Sequence, residues 1–203
     1  MLLSINQNDL VLMLRHIEEK TGRSQSGTRL APRQAQIDSG TGLSTDSDLV
    51  SVIDALGYQP DTFSIPNYVD HLRHALNREI DLVAIPFSES LSGAYVHAHE
   101  QDFIFYNMGK HPLIQNHTVV HESAHIVLKH QGYRVRGANL PDELAALLKN
   151  MVGHCRTRNA IGVEEQEAEQ FANLLLSRIR QHSFRRYLVK TTNTNLFPPF
   201  DQL

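Results

Sequence analysis

Residues 117–130, HTVVHESAHIVLKH, set four histidines and one glutamate among Val119, Val120, Ile126, Val127 and Leu128. Within them His121, Glu122 and His125 form the pattern H-E-x-x-H. On a helix, a separation of four residues puts two side chains on one face about a turn apart, so both imidazoles can grip one ion while Glu122 projects in an adjacent direction. Imidazole and carboxylate suit zinc, and a catalytic zinc site takes three protein ligands and leaves a position for water. The chemistry this permits is metal-assisted hydrolysis of a peptide bond. Zinc would make a bound water acidic, and Glu122 could accept its proton and later hand it to the departing amine. The apolar neighbours strengthen the reading, because imidazoles and a carboxylate among buried valines must be ligated or paired to survive desolvation.

A third ligand must come from elsewhere. The segment GVEEQEAEQFANLLLSRI offers Glu164, Glu165, Glu167 and Glu169 at the start of a helix whose apolar stripe runs Ala168, Ala172, Leu175 and Ile179. Glu165 precedes that stripe by three and seven residues, Glu164 is nearly as well placed, and Glu167 aligns with Phe171 and Leu174; periodicity leaves the choice open. A donor to the developing oxyanion is also required. Tyr95, His97 and His99, on one face of an alternating segment, and His154, between the two glutamate- and histidine-bearing segments, are candidates. The bland reading of the Tyr95 row is the solvated face of a hairpin. If its strand lies at a sheet edge, an extended substrate can add to it through main-chain hydrogen bonds. His117 and His130 read as helix-end or surface histidines, and Cys155 as a buried, inert thiol.

The elements that must position these groups follow from periodicity. Residues 9–20 place Leu10, Leu14 and Ile17 at helical spacing, with Asp9 as cap and Gly22 as stop. From Thr21 to Asp48 the composition turns to Ser, Thr, Gly and Gln, which reads as a linker or arm. DLVSVIDALGY reads as a helix closed by Gly57, and IPNYVDHLRHALNRE as another with Pro66 in its first turn. IDLVAIPF, AYVHAHE and DFIFYN read as strands, the last two as a hairpin. After them come the H-E-x-x-H helix, a helix near PDELAALLKNMV and a long one from about Val163 to Gln181. Helices, strands, helices is an α+β order, with a small, mostly antiparallel sheet. The division expected is a helix over 1–20, an arm over 21–48 and one domain over 49–203 with a basic tail from Arg178 to Lys190.

Whole-chain properties narrow the classes. The chain has 203 residues, 41% of them hydrophobic, enough for one sizeable core. A formal net charge of -3 gives no global drive toward nucleic acid or anionic lipid, and the basic tail reads as a solvated face. The single cysteine excludes an internal disulfide and a cysteine-rich zinc cage. No signal peptide or apolar run of membrane-spanning length is evident, so a cytoplasmic location and no membrane partner are expected.

HESAHIVLKH followed by EQEAEQFANLLL resembles the ImmA/IrrE family of zinc metallopeptidases, whose second motif reads E-x-E-A-(D/N)-x-F-A-x-x-L-L. The register matches Glu165, Glu167, Ala168, Phe171, Ala172, Leu175 and Leu176. SGAYVHAHEQDFIFYN resembles the hairpin that precedes the family's zinc helix, and the likeness covers roughly residues 50–180. It implies a zincin-like fold, Glu165 as third ligand, and a protein substrate, often a separately encoded helix-turn-helix repressor in phage, stress-response or toxin–antitoxin settings. Two departures stand out. Glu169 occupies a position where the family has Asp or Asn, which bears on a supporting role around the ligands. LLLSRIRQ continues without the family's Met-Pro, which implies a longer helix. The alternative from another class is a non-hydrolytic regulator that uses the metal as a clip and binds a protein or DNA; Glu122 favours the enzyme, because a structural site does not need it.

Overall fold

The structure is a computed structural model that describes residues 7–24, 46–98, 101–130, 133–134, 152–157 and 162–193, with side chains over 8–21, 47–98, 101–130 and 162–186. The chain is α+β. Its elements are α1 (Gln7–Ser24), α2 (Asp46–Leu56), α3 (Ile65–Leu76), β1 (Ile80–Ile85), β2 (Leu91–Ala98), β3 (Gln101–Asn107), α4 (Pro112–Val127), β4 (Tyr133–Arg134), β5 (Val152–Thr157) and α5 (Val163–Asn193). The expected helix around PDELAALLKNMV, most of the 21–48 arm, and His99 lie outside the described residues; Val152, the last residue of that expected helix, opens β5.

Among the described residues, five strands form one sheet in the order β1-β3-β2-β5-β4. The hairpin of β2 and β3 forms as expected, with Tyr95 opposite Ile104 and His97 opposite Asp102. The sheet is nonetheless mixed. β1 lies parallel to β3, Ile80 opposite Asp102 through Ile85 opposite Asn107, while the remaining pairs are antiparallel. The reason lies in the connection after β1. The Asn107 amide donates to the carbonyls of Phe87, Ser88 and Leu91, tying the loop over the end of β3 so that β2 emerges on its far side. β2 is then flanked by β3 and β5, so the condition for substrate addition to this strand, a place at the sheet edge, is not met.

Alternation along the strands divides the core into two faces. Ala94, Val96, Phe103 and Phe105 pack with Leu10, Met13, Leu14 and Ile17 of α1. Tyr95 and Ile104 pack on the opposite side with Val119, Val120 and Ala124 of α4, Tyr68 and Leu72 of α3, and Phe171, Ala172 and Leu175 of α5. α1 therefore contributes to the same body as the strands. Asp9 does not cap it: the helix starts at Gln7, and the buried Asp9 carboxylate accepts from the Ser88 amide at 3.0 Å and hydroxyl at 2.6 Å. Gly22 does not end it either, because an interior glycine costs only about 1 kcal/mol in a helix already held by its packed face.

Gly57 at φ 65 and Asn77 at φ 49 close α2 and α3 in the left-handed region, as helix-terminating residues commonly do. α5 runs well past Gln181, so the arginines of the expected basic tail sit on a helix. Two of them engage acids elsewhere, Arg178 with Asp54 and Arg186 with Asp61. No helix among the described residues is long and apolar enough to cross a membrane.

Candidate metal centre

α4 begins at Pro112, where the missing amide donor costs nothing, and the His111 ring accepts from the Leu113 amide. From Thr118 to Ile126 every residue is buried, including His121, Glu122 and His125. The sheet can lie this close because β2 carries a glycine beneath the helix. A Cβ at Gly93 would stand 2.3 Å from the Thr118 methyl carbon, 2.7 Å from the Phe105 carbonyl and 3.5 Å from Glu122 Cγ. α3 braces the other flank: the Tyr68 hydroxyl bonds that of Ser123 at 2.7 Å, and Ser123 donates to the Val120 carbonyl.

α5 crosses α4 with its acidic first turns against the histidines. Glu165 places one oxygen 3.2 Å from His121 Nε2 and the other 3.7 Å from His125 Nε2. One ligand atom from each of His121, His125 and Glu165 lies within 4.8 Å of the others, so the three could hold a metal ion. Two imidazole nitrogens and a carboxylate are a donor set that suits divalent transition metals, and their mutual distances leave room for an ion at their centre. Of the four glutamates that periodicity left open, Glu165 is the one that forms this group with both histidines.

The remaining carboxylates approach the outer sides of the rings. Glu169 Oε2 lies 3.3 Å from His121 Nδ1, and Glu169 Oε1 lies 3.4 Å from His117 Nε2. His117 is thus drawn to the site's periphery by Glu169, whose two carboxylate oxygens approach the His117 and His121 rings. His130, read from sequence as a helix-end or surface residue, is a participant: its Nδ1 is 2.8 Å from His125 Nδ1, and its Nε2 is 3.1 Å from Glu167 Oε2. Glu167 is buried, and the His130 side chain is only 5% exposed. No glycine marks the turn that folds His130 back, which is why the sequence concealed it.

Tyr95 and His97 gather around a different acid. The buried Asp102 accepts from the Tyr95 hydroxyl at 3.0 Å, lies 2.9 Å from His97 Nδ1 and pairs with Arg78. Tyr95 is 6% exposed, so it is not part of a solvated face. Burial, followed by the nearby Asp102 charge, pushes its hydroxyl far above the ordinary tyrosine range. Asp102 escaped the sequence reading because one acid in an apolar strand carries no spacing signal. β5 carries His154 and Cys155 opposite Tyr95 and Ala94, but their side chains lie outside the described residues. Comparison with family models, curated proteins and solved structures finds no match to the chain.

Proposed function

We propose that the chain is a zinc-dependent endopeptidase of zincin-like architecture that hydrolyses a peptide bond in a partner protein. The observation that carries the reading is the convergence of His121, His125 and Glu165 from two helices, with the buried Glu122 next to the first ligand. A zinc ion at that point would supply Lewis acidity toward the scissile carbonyl and lower the pKa of a water toward neutrality. His121 and His125 would offer their Nε2 lone pairs, and Glu165 one carboxylate oxygen, leaving a fourth direction for water or substrate. Glu122 would take the proton from the attacking water and deliver it to the leaving amine. Because β2 is paired on both sides, the substrate chain must be held by contacts other than addition to that strand.

The motif resemblance supports a helix-turn-helix repressor, encoded separately, as the substrate. The test pairs two variants with that substrate class, using a purified helix-turn-helix repressor, taken from the neighbouring reading frame where one is encoded there. Glu122→Gln is expected to retain one zinc per chain and lose cleavage by at least about 100-fold, the scale of a general base. His125→Ala is expected to lose zinc by elemental analysis. If Glu122→Gln keeps the full biological effect, the metal is a clip in a binding protein and the peptidase reading fails.

A further inference from the structure

The end of α4 is a Schellman motif. Lys129 adopts φ 58, in the left-handed region, its amide donates to the Ile126 carbonyl, and the His130 amide donates back to the His125 carbonyl at 3.0 Å. That motif brings the second residue past the helix cap against the residue three positions before its end, and the pair is usually apolar. Here the two residues are His130 and His125, with ring centroids 4.9 Å apart. A lysine holds a conformation that glycine adopts without a Cβ penalty. Strain of that kind persists where its surroundings over-determine it, and here the surroundings are a histidine pair and a buried carboxylate.

The hydrogen-bond roles along this row are constrained. A carboxylate only accepts, so the proton between Glu167 and His130 sits on His130 Nε2. With His130 neutral, that is its one N–H, which leaves His130 Nδ1 as an acceptor. The short contact at 2.8 Å must then be filled by the Nδ1–H of His125. His125 Nε2, which lies 3.7 Å from Glu165 Oε1, then carries no proton. His130 lies on the opposite ring nitrogen of His125 from Glu165, so it cannot itself complete the ligand set.

We propose that His130 and Glu167 are positioning residues for the metal: they select the Nδ1–H tautomer of His125 and hold its Nε2 toward the ion. The proposal rests on the metal reading above and adds to it a two-step relay, carboxylate to imidazole to ligand. Outer partners of this kind set ring orientation and basicity, and their loss costs about 10–100-fold in metal affinity.

The experiment measures zinc affinity of the full chain by competition with a chromophoric chelator, alongside circular dichroism of the metal-free protein. His130→Leu and Glu167→Leu are expected to bind one zinc about 10–100-fold more weakly. His130→Asn, whose Oδ1 can accept where Nδ1 did, is expected to recover most of the affinity, which a merely space-filling role would not produce. Nitrogen-15 spectra of the metal-free wild-type chain are expected to place the His125 proton on Nδ1. A folded His130→Leu variant with wild-type affinity overturns the relay, and so does a His125 proton found on Nε2. If His130→Leu does not fold, the asparagine variant and the wild-type spectra decide. Absence of zinc binding by the wild-type chain, or its survival in His125→Ala, would instead bring down the metal site itself.

Discussion

Single side chains set the alkaline limit of this protein. Tyr58 is 7% exposed, its hydroxyl donates to Asn67 Oδ1 at 2.9 Å, and burial raises its pKa from 10.0 to about 12. Tyr68 and Tyr95 are pushed higher still, chiefly by burial. Above pH 10 the unfolded chain sheds these protons while the folded chain keeps them, so the native state binds more protons and stability must fall as pH rises. The expected urea midpoint is insensitive to these tyrosines below pH 10 and drops between pH 10 and 12, with Tyr58→Phe flattening part of that slope. A midpoint unchanged to pH 11.5 would contradict the assignment. Asp102 is the other residue-scale test. Asp102→Asn removes the charge that Arg78 and His97 face and is expected to cost about 1–3 kcal/mol in denaturant unfolding, less than for a fully enclosed pair because both partners are partly exposed.

Elements meet most tightly where α4 crosses β2. At Gly93 even one methyl group would collide with the Thr118 methyl and with a backbone carbonyl that cannot rotate away. Gly93→Ala is therefore expected to destabilise by about 1–3 kcal/mol, the ordinary cost of overpacking, and to displace Glu122. Adding Thr118→Ser removes the nearer obstacle and is expected to return part of the loss, measured as the denaturation midpoint; equal midpoints for the single and double variants would mean the contact is not the cause. The same crossing explains what could be read in advance. α2, α3 and α5 announce themselves by apolar stripes at helical spacing and by Gly57 and Pro66 near their ends. β5 and β4 have no comparable pattern, and the parallel pairing of β1 with β3 depends on Asn107, whose three acceptors lie 16 to 20 residues away in the chain.

At the scale of the molecule, the metal reading makes α4 and α5 a clasp. Any ion that binds the native arrangement and not the unfolded chain stabilises by mass action, about 2.7 kcal/mol at 100 times its dissociation constant. For a chain of 203 residues that corresponds to a rise of roughly 5–10 °C in Tm, read as the difference between zinc-loaded and chelator-treated protein. His125→Ala is expected to melt at the same temperature with or without zinc, and a difference that persists in this variant would place the ion elsewhere.

The spacing of His121, Glu122 and His125 determined by itself that two rings share a helical face, because that follows from the pitch of any α-helix. It likewise determined that α5 has a buried stripe, since Ala168, Ala172, Leu175 and Ile179 recur at helical intervals and are all buried. Only the packing of α5 across α4 decided which glutamate faces both Nε2 atoms. Only the left-handed turn at Lys129 decided that His130 and Glu167 stand behind His125. Periodicity specifies a direction around one axis; the distance between side chains on two axes is set by how those axes cross.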